Sequence, residues 1–177
     1  MTIVMSALLA LSTATTPAHA ADLATIDCVA GKLDAAIKAQ LEADTARNMG
    51  EAGKRPTYDP SVSRGLNDAA AACAKDNGWS PAATKAAGIY ALAKIGLPVA
   101  QRVVGEHGFD AAALEDQFQA LPEETRDRPL TAAENQELIK AAVTDEAKQT
   151  RENAELLAEF FAFLSTIQYA AHDFSVG

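Results

Sequence analysis

The chain has 177 residues, with 24 Asp or Glu against 15 Lys or Arg and a net charge of −9 at neutral pH. A surface this acidic repels phosphate backbones and anionic headgroups, which excludes nucleic-acid binding and polybasic membrane docking. Beyond the first twenty residues no stretch has the length and apolarity of a membrane span, because Lys85 and Lys94 interrupt the most apolar window, Ala86 to Ala100.

The first element is a leader. Ile3 to Ala14 forms an uncharged apolar core, too short to cross a bilayer, and Ala18-His19-Ala20 ahead of Ala21 is the small-x-small pattern that a signal peptidase accepts. Residues 1–20 are therefore predicted to be a cleaved signal peptide, with the terminal amine as the positive charge ahead of the core. Residues 21–177 are predicted to be a single exported domain, periplasmic or secreted. In an oxidising compartment its two cysteines, Cys28 and Cys73, are expected to join. Their spacing fits neither Cys-x-x-Cys redox chemistry nor haem attachment nor the usual zinc patterns, so the bridge reads as a structural staple.

The mature sequence is rich in Ala, Leu, Glu, Lys and Gln and poor in alternating β-branched runs, which predicts an all-α fold of about six helices. A first helix is expected from Asp22 to Arg47, its apolar stripe formed by Ile26, Val29, Leu33, Ile37 and Leu41, with Cys28 off that stripe. A second follows Asp59-Pro60, carries Val62, Leu66, Ala69, Ala70 and Cys73 on one face, and stops near Asn77-Gly78. Ser80-Pro81 opens a third, which Gly96 and Pro98 are expected to close near Ile95. A short fourth is predicted over Val99 to His107 and a fifth over Ala111 to Leu121, before a charged linker, Pro122 to Pro129.

Thr131 to Glu134 reads as a capping box that starts the C-terminal segment. From Thr144 to Asn153 only Ala147 is apolar, and 40 residues of unbroken helix would measure about 60 Å, long for one domain. Two segments or a pronounced bend near Thr144-Asp145 are the expectation. The last segment, with Leu156, Leu157, Phe160, Phe161, Phe163, Leu164, Ile167 and Tyr169, is apolar in nearly every direction, as in a central helix packed by several neighbours.

Candidate chemistry is sparse. His107 precedes Gly108 at a helix end, where a capping role explains it, and His172 lies beside Asp173 in the tail. Neither has metal-ligand spacing, and the chain holds no nucleophile elbow and no glycine-rich phosphate loop, so no metal and no cofactor are predicted. Glu152, Glu155 and Glu159 read as solvated charge on the last helix. A carboxylate pair for hydrolysis is the alternative.

One segment departs from the rest. The connection from Asp44 to Pro60 is long for a helical domain, and from Thr45 to Gly65 it sets Arg47, Lys54, Arg55 and Arg64 against Glu51 and Asp59 alone. With Tyr58 as a further donor, these residues form a candidate site for a small anionic ligand or an acidic partner segment. The competing reading is a solvated loop whose cations balance acids on neighbouring helices. The leading functional expectation is an exported, non-enzymatic helical protein that binds a protein partner or a small ligand. The alternatives are a hydrolase using dispersed carboxylates and a periplasmic stress or assembly protein, chaperone- or inhibitor-like.

Overall fold

The structure, a computed structural model, describes residues 20–51 and 53–177, so the expected leader lies outside the described residues except for Ala20. Among those residues the chain is all-α, with no strand. Its helices are α1 (Cys28–Lys32), α2 (Ala35–Gly50), α3 (Pro60–Asn77), α4 (Pro81–Glu106), α5 (Ala111–Gln119), α6 (Glu123–Arg126), α7 (Ala132–Ala142) and α8 (Arg151–Val176).

The framework is an antiparallel pair, α4 and α8. His107, at the end of α4, shares a cleft with Glu152 at the start of α8, while Gly177 lies against Ala82 and Ala83 at the start of α4. Two apolar clusters flank this pair. One gathers Ile26, Val29, Leu33, Leu41, Val62 and Leu66 with the first half of α4 and with Phe174. The other joins the second half of α4 to Leu114, Phe118, Leu138 and the aromatic first half of α8. Between the clusters the two helices meet at Gly96, where a Cβ would lie 2.6 Å from Phe163 Cε1. Glycine is needed at that waist for close approach, not for a helix end.

That contact explains the first departure from sequence expectation. Gly96 and Pro98 do not close a helix: α4 runs unbroken from Pro81 to Glu106 with Pro98 inside it, so the predicted third and fourth helices are one. Proline removes one backbone donor and frees the carbonyl four residues earlier. Pro98 and Lys94 are both exposed, so the freed carbonyl lies on the solvent side. Burial of Ala93, Gly96, Ala100, Val103 and Val104 holds the helix through the defect.

The first helix departs the other way. Its stripe is buried as expected at Ile26, Val29, Leu33 and Leu41, but the chain breaks at Leu33, which is extended at φ −66°, ψ 133°. Asp34 then caps α2, its Oδ1 accepting from Ile37 N at 2.8 Å. A short acidic side chain that satisfies a free helix donor competes with helix continuation at its own position. Cys28 and Cys73 are bonded and tie α1 to α3. The predicted linker contains the single turn α6. Thr131 and Glu134 form the expected capping box, and the chain breaks after Ala142, giving two segments, α7 and α8.

Candidate functional site

The site is built from the end of α2. Asp44, Arg47 and Asn48 follow one another at helical spacing, which brings their side chains to the same side of the helix. All three reach the chain that returns toward α3. Asp44 is buried, 2% exposed. Its Oδ2 accepts from Asp59 N at 2.7 Å, its Oδ1 accepts from Gln40 Nε2 at 3.1 Å, and Arg47 Nη1 lies 3.2 Å away. Asn48 reads the backbone of Thr57 on both sides, Oδ1 accepting from its N–H at 3.1 Å and Nδ2 donating to its carbonyl at 3.0 Å. Arg47 Nη2 also donates to the Thr57 carbonyl. The long connection is thus clamped at Thr57 and Asp59, and Gly53, at φ 76°, supplies the left-handed turn that brings it back.

Beneath this clamp lie two adjoining cavities that share Asn48 and Glu159. The first, about 300 Å³, is charged: Glu51, Lys54, His107, Glu152, Glu155 and Glu159 line it. The second, about 150 Å³, is an apolar slot at the waist, walled by Pro56, Tyr58, Leu92, Ala93, Ala162 and Phe163. A wider groove of about 650 Å³ runs between α3 and α4 along Leu66, Ala70, Gly88 and Ile89, with Lys85 as its one charged lining residue.

The residues expected to contact an anion do not converge. Arg47 is engaged by Asp44 and Thr57. Lys54 lies in the charged cleft, 3.4 Å from Glu51, and Tyr58 lines the slot. Arg55 and Arg64 are exposed and line neither cavity. What faces the connection from below is acidic. Glu155 Oε1 accepts from Arg151 Nε at 2.6 Å, while its Oε2 is buried with no hydrogen-bond partner among the described residues.

Glu159 departs from the sequence expectation of solvated charge. It is half-buried rather than solvated, and burial, with the neighbouring Glu155 carboxylate adding to it, pushes its carboxyl up to about 7. Burial also raises the Tyr58 phenol, with Glu159 and Asp44 acting in the same direction and the Thr45 and Asn48 side chains opposing. The available signal was the segment itself. A helix apolar in nearly every direction leaves little solvated surface, so a carboxylate among Leu156, Phe160 and Phe163 is drawn into partly apolar surroundings.

The histidines stay apart from one another. His107 caps α4 and is exposed, and His172 Nδ1 lies 3.5 Å from Asp127 Oδ2. Among the described residues no cluster of His, Cys, Asp or Glu could hold a metal ion. The arrangement at the waist can therefore hold a proton at Glu159 near neutral pH and present a carboxylate at the mouth of an apolar slot. Comparison with protein-family models, with curated proteins and with solved structures gives no match to this chain.

Proposed function

We propose that this is an exported, periplasmic or secreted, non-enzymatic helical protein that binds a protein partner or a small ligand, and that the waist cavities favour the small ligand. One observation carries the reading: an apolar slot of about 150 Å³ joins a charged cleft through a half-buried carboxylate. Ligand sites pair apolar walls with few convergent polar groups in this way. The leader-like residues 1–20 and the bridging of Cys28 to Cys73 support export. Expression through a bacterial secretory route tests the compartment. Mass spectrometry is expected to find a mature N-terminus at Ala21 and no free thiol. An intact leader with two free thiols would remove the exported half of the reading.

The hydrolase reading draws on the same carboxylate. A carboxyl that titrates near neutrality beside a second acid is a candidate general acid or base. A panel of chromogenic esters, amides and glycosides separates the readings. Turnover that disappears in Glu159→Gln would replace binding by catalysis, and none is expected.

A further inference from the structure

We infer that the waist slot takes a small organic cation, a primary amine carrying a ring-sized apolar body, with the ammonium seated at Glu159 and the body between Tyr58, Leu92, Ala162 and Phe163. The inference deepens the small-ligand part of the proposed function and rests on it.

Size and lining set the body. A cavity of about 150 Å³ can accept one benzene-sized group. Pro56, Leu92, Ala93, Ala162 and Phe163 offer that group no hydrogen bond, and the polar lining is Asn48, Tyr58, Glu159 and Thr166, so the body facing the five apolar walls is hydrocarbon. Ala162 is exposed and Phe163 half-buried, so the slot opens to solvent along α8.

Charge sets the head. Among the described residues no Lys, Arg or His nitrogen lies within 4.0 Å of a Glu159 oxygen. The cations nearby are already engaged. Lys54 pairs with Glu51, Arg151 with Glu155, and Arg47 with Asp44. The cleft that meets the slot at Glu159 is lined by Glu159, Glu155 and Glu152 from α8, by Glu51 and Lys54 from the connection and by exposed His107 from the end of α4, while Tyr58 walls the slot. Asp44 and Arg47 of α2 line neither cavity and pair with each other. The balance is negative, and the orphaned Oε2 of Glu155 is a second acceptor lining the same cleft. A half-buried carboxylate without a partner is costly to keep ionised. An ammonium arriving from solvent supplies the missing partner through a charge-assisted hydrogen bond. Tyr58 and Phe163 add aromatic walls against which a ring-sized apolar body can pack. The anionic ligand expected from the basic connection would meet these acids instead.

The experiment uses the full mature chain and three probes that share a 2-phenylethyl body: 2-phenylethylammonium, 2-phenylethanol and 3-phenylpropionate. Binding is measured by calorimetry at pH 8. A hydrogen bond to a charged group contributes roughly 1.5–3 kcal/mol, so the ammonium is expected to bind about tenfold or more tightly than the alcohol. The carboxylate probe is expected not to bind. Glu159→Gln should remove the preference for the ammonium over the alcohol, and its helical circular dichroism should match the parent. Affinity for the ammonium should also weaken from pH 8 to pH 5.5 in the parent but not in Glu159→Gln. Equal binding of ammonium and alcohol, or tighter binding of the carboxylate, overturns the cation while leaving a ligand site at the waist. Failure of all three probes at millimolar concentration overturns both the cation and the small-ligand part of the proposed function.

Discussion

At the scale of single residues, two acids of the site have different surroundings. Asp44 is deeply buried, but a backbone donor, an amide and a guanidinium surround it, so its charge is met at once. Glu159 is less buried yet has no such partners among the described residues, and its carboxyl is raised from 4.5 to about 7. The sign of the consequence follows directly. Between those values the folded chain keeps a proton that the unfolded chain has already released, so stability is greatest below the unfolded value and falls as pH rises toward 7. Above that it no longer changes through this group. Glu159→Gln is expected to raise the urea midpoint at pH 8 and to flatten the dependence between pH 5 and 8. A midpoint in the variant that still falls over that window would assign the slope to another group. Glu134 works in the reverse sense. Arg128 and the Thr131 backbone N–H hold it down to about 2, so its contribution is lost only as pH falls from 4.5 toward that value.

At the scale of elements, α4 breaks two local rules and gains a tertiary fit. Pro98 costs a helix interior roughly 3 kcal/mol. Because Pro98 is exposed and lies within a continuous helix, Pro98→Ala should stabilise the protein by about 1–3 kcal/mol, read from urea denaturation. A helix that truly ended there would show no gain. The glycines of α4 separate in the same way. Gly88 has only Ala70 Cβ at 4.0 Å from the position of an added methyl group, so Gly88→Ala is expected to stabilise by up to about 1 kcal/mol. At Gly96 the added group would press on the Phe163 ring at 2.6 Å and on Thr45 Oγ1 at 3.2 Å. Overpacking of about 1–3 kcal/mol there cancels or exceeds the propensity gain. Gly96→Ala should therefore be neutral to destabilising, and should also narrow the slot that Phe163 walls. Equal gains at both positions would mean that α8 does not approach as closely as this.

At the scale of the molecule, two apolar clusters are held by one helix pair and one covalent tie. The disulfide lies within the first cluster and closes a loop with a sequence separation of 45. In the chain-entropy model a loop of that length stabilises by about 4 kcal/mol. Replacing both cysteines by serine is expected to lower stability by roughly 2–5 kcal/mol, with urea denaturation as the measure and a loss below 1 kcal/mol as the contrary result. The aromatic start of α8 is sealed in the second cluster, with Phe160 and Phe161 at 0% exposure. Protonation of Glu159 favours the folded state, so a hydrophobic dye should show flat binding from pH 8 to pH 5. Rising fluorescence over that range would favour the stress-protein alternative over the binding protein.

Much of this architecture was readable before any coordinates. Composition and periodicity determine that the domain is helical, and local caps at Asp59, Ser80, Asp110 and Thr131 mark helix starts, because a cap depends only on residues a few positions away. The Cys28–Cys73 pair was readable from the count of two together with the expectation of export. The continuity of α4 was not, since the reward for tolerating Pro98 and Gly96 comes from α8, some 60 residues further on in the chain. Nor was the site. Arg47 and Lys54 were candidate contacts for an anion, yet they pair with Asp44 and Glu51 of their own segment. Glu159 looked like surface because its environment is assembled from α2, the connection, α4 and α8. Helix formation obeys short-range rules. The charge state of a carboxyl group depends on everything packed around it, and only the assembled fold brings those groups together.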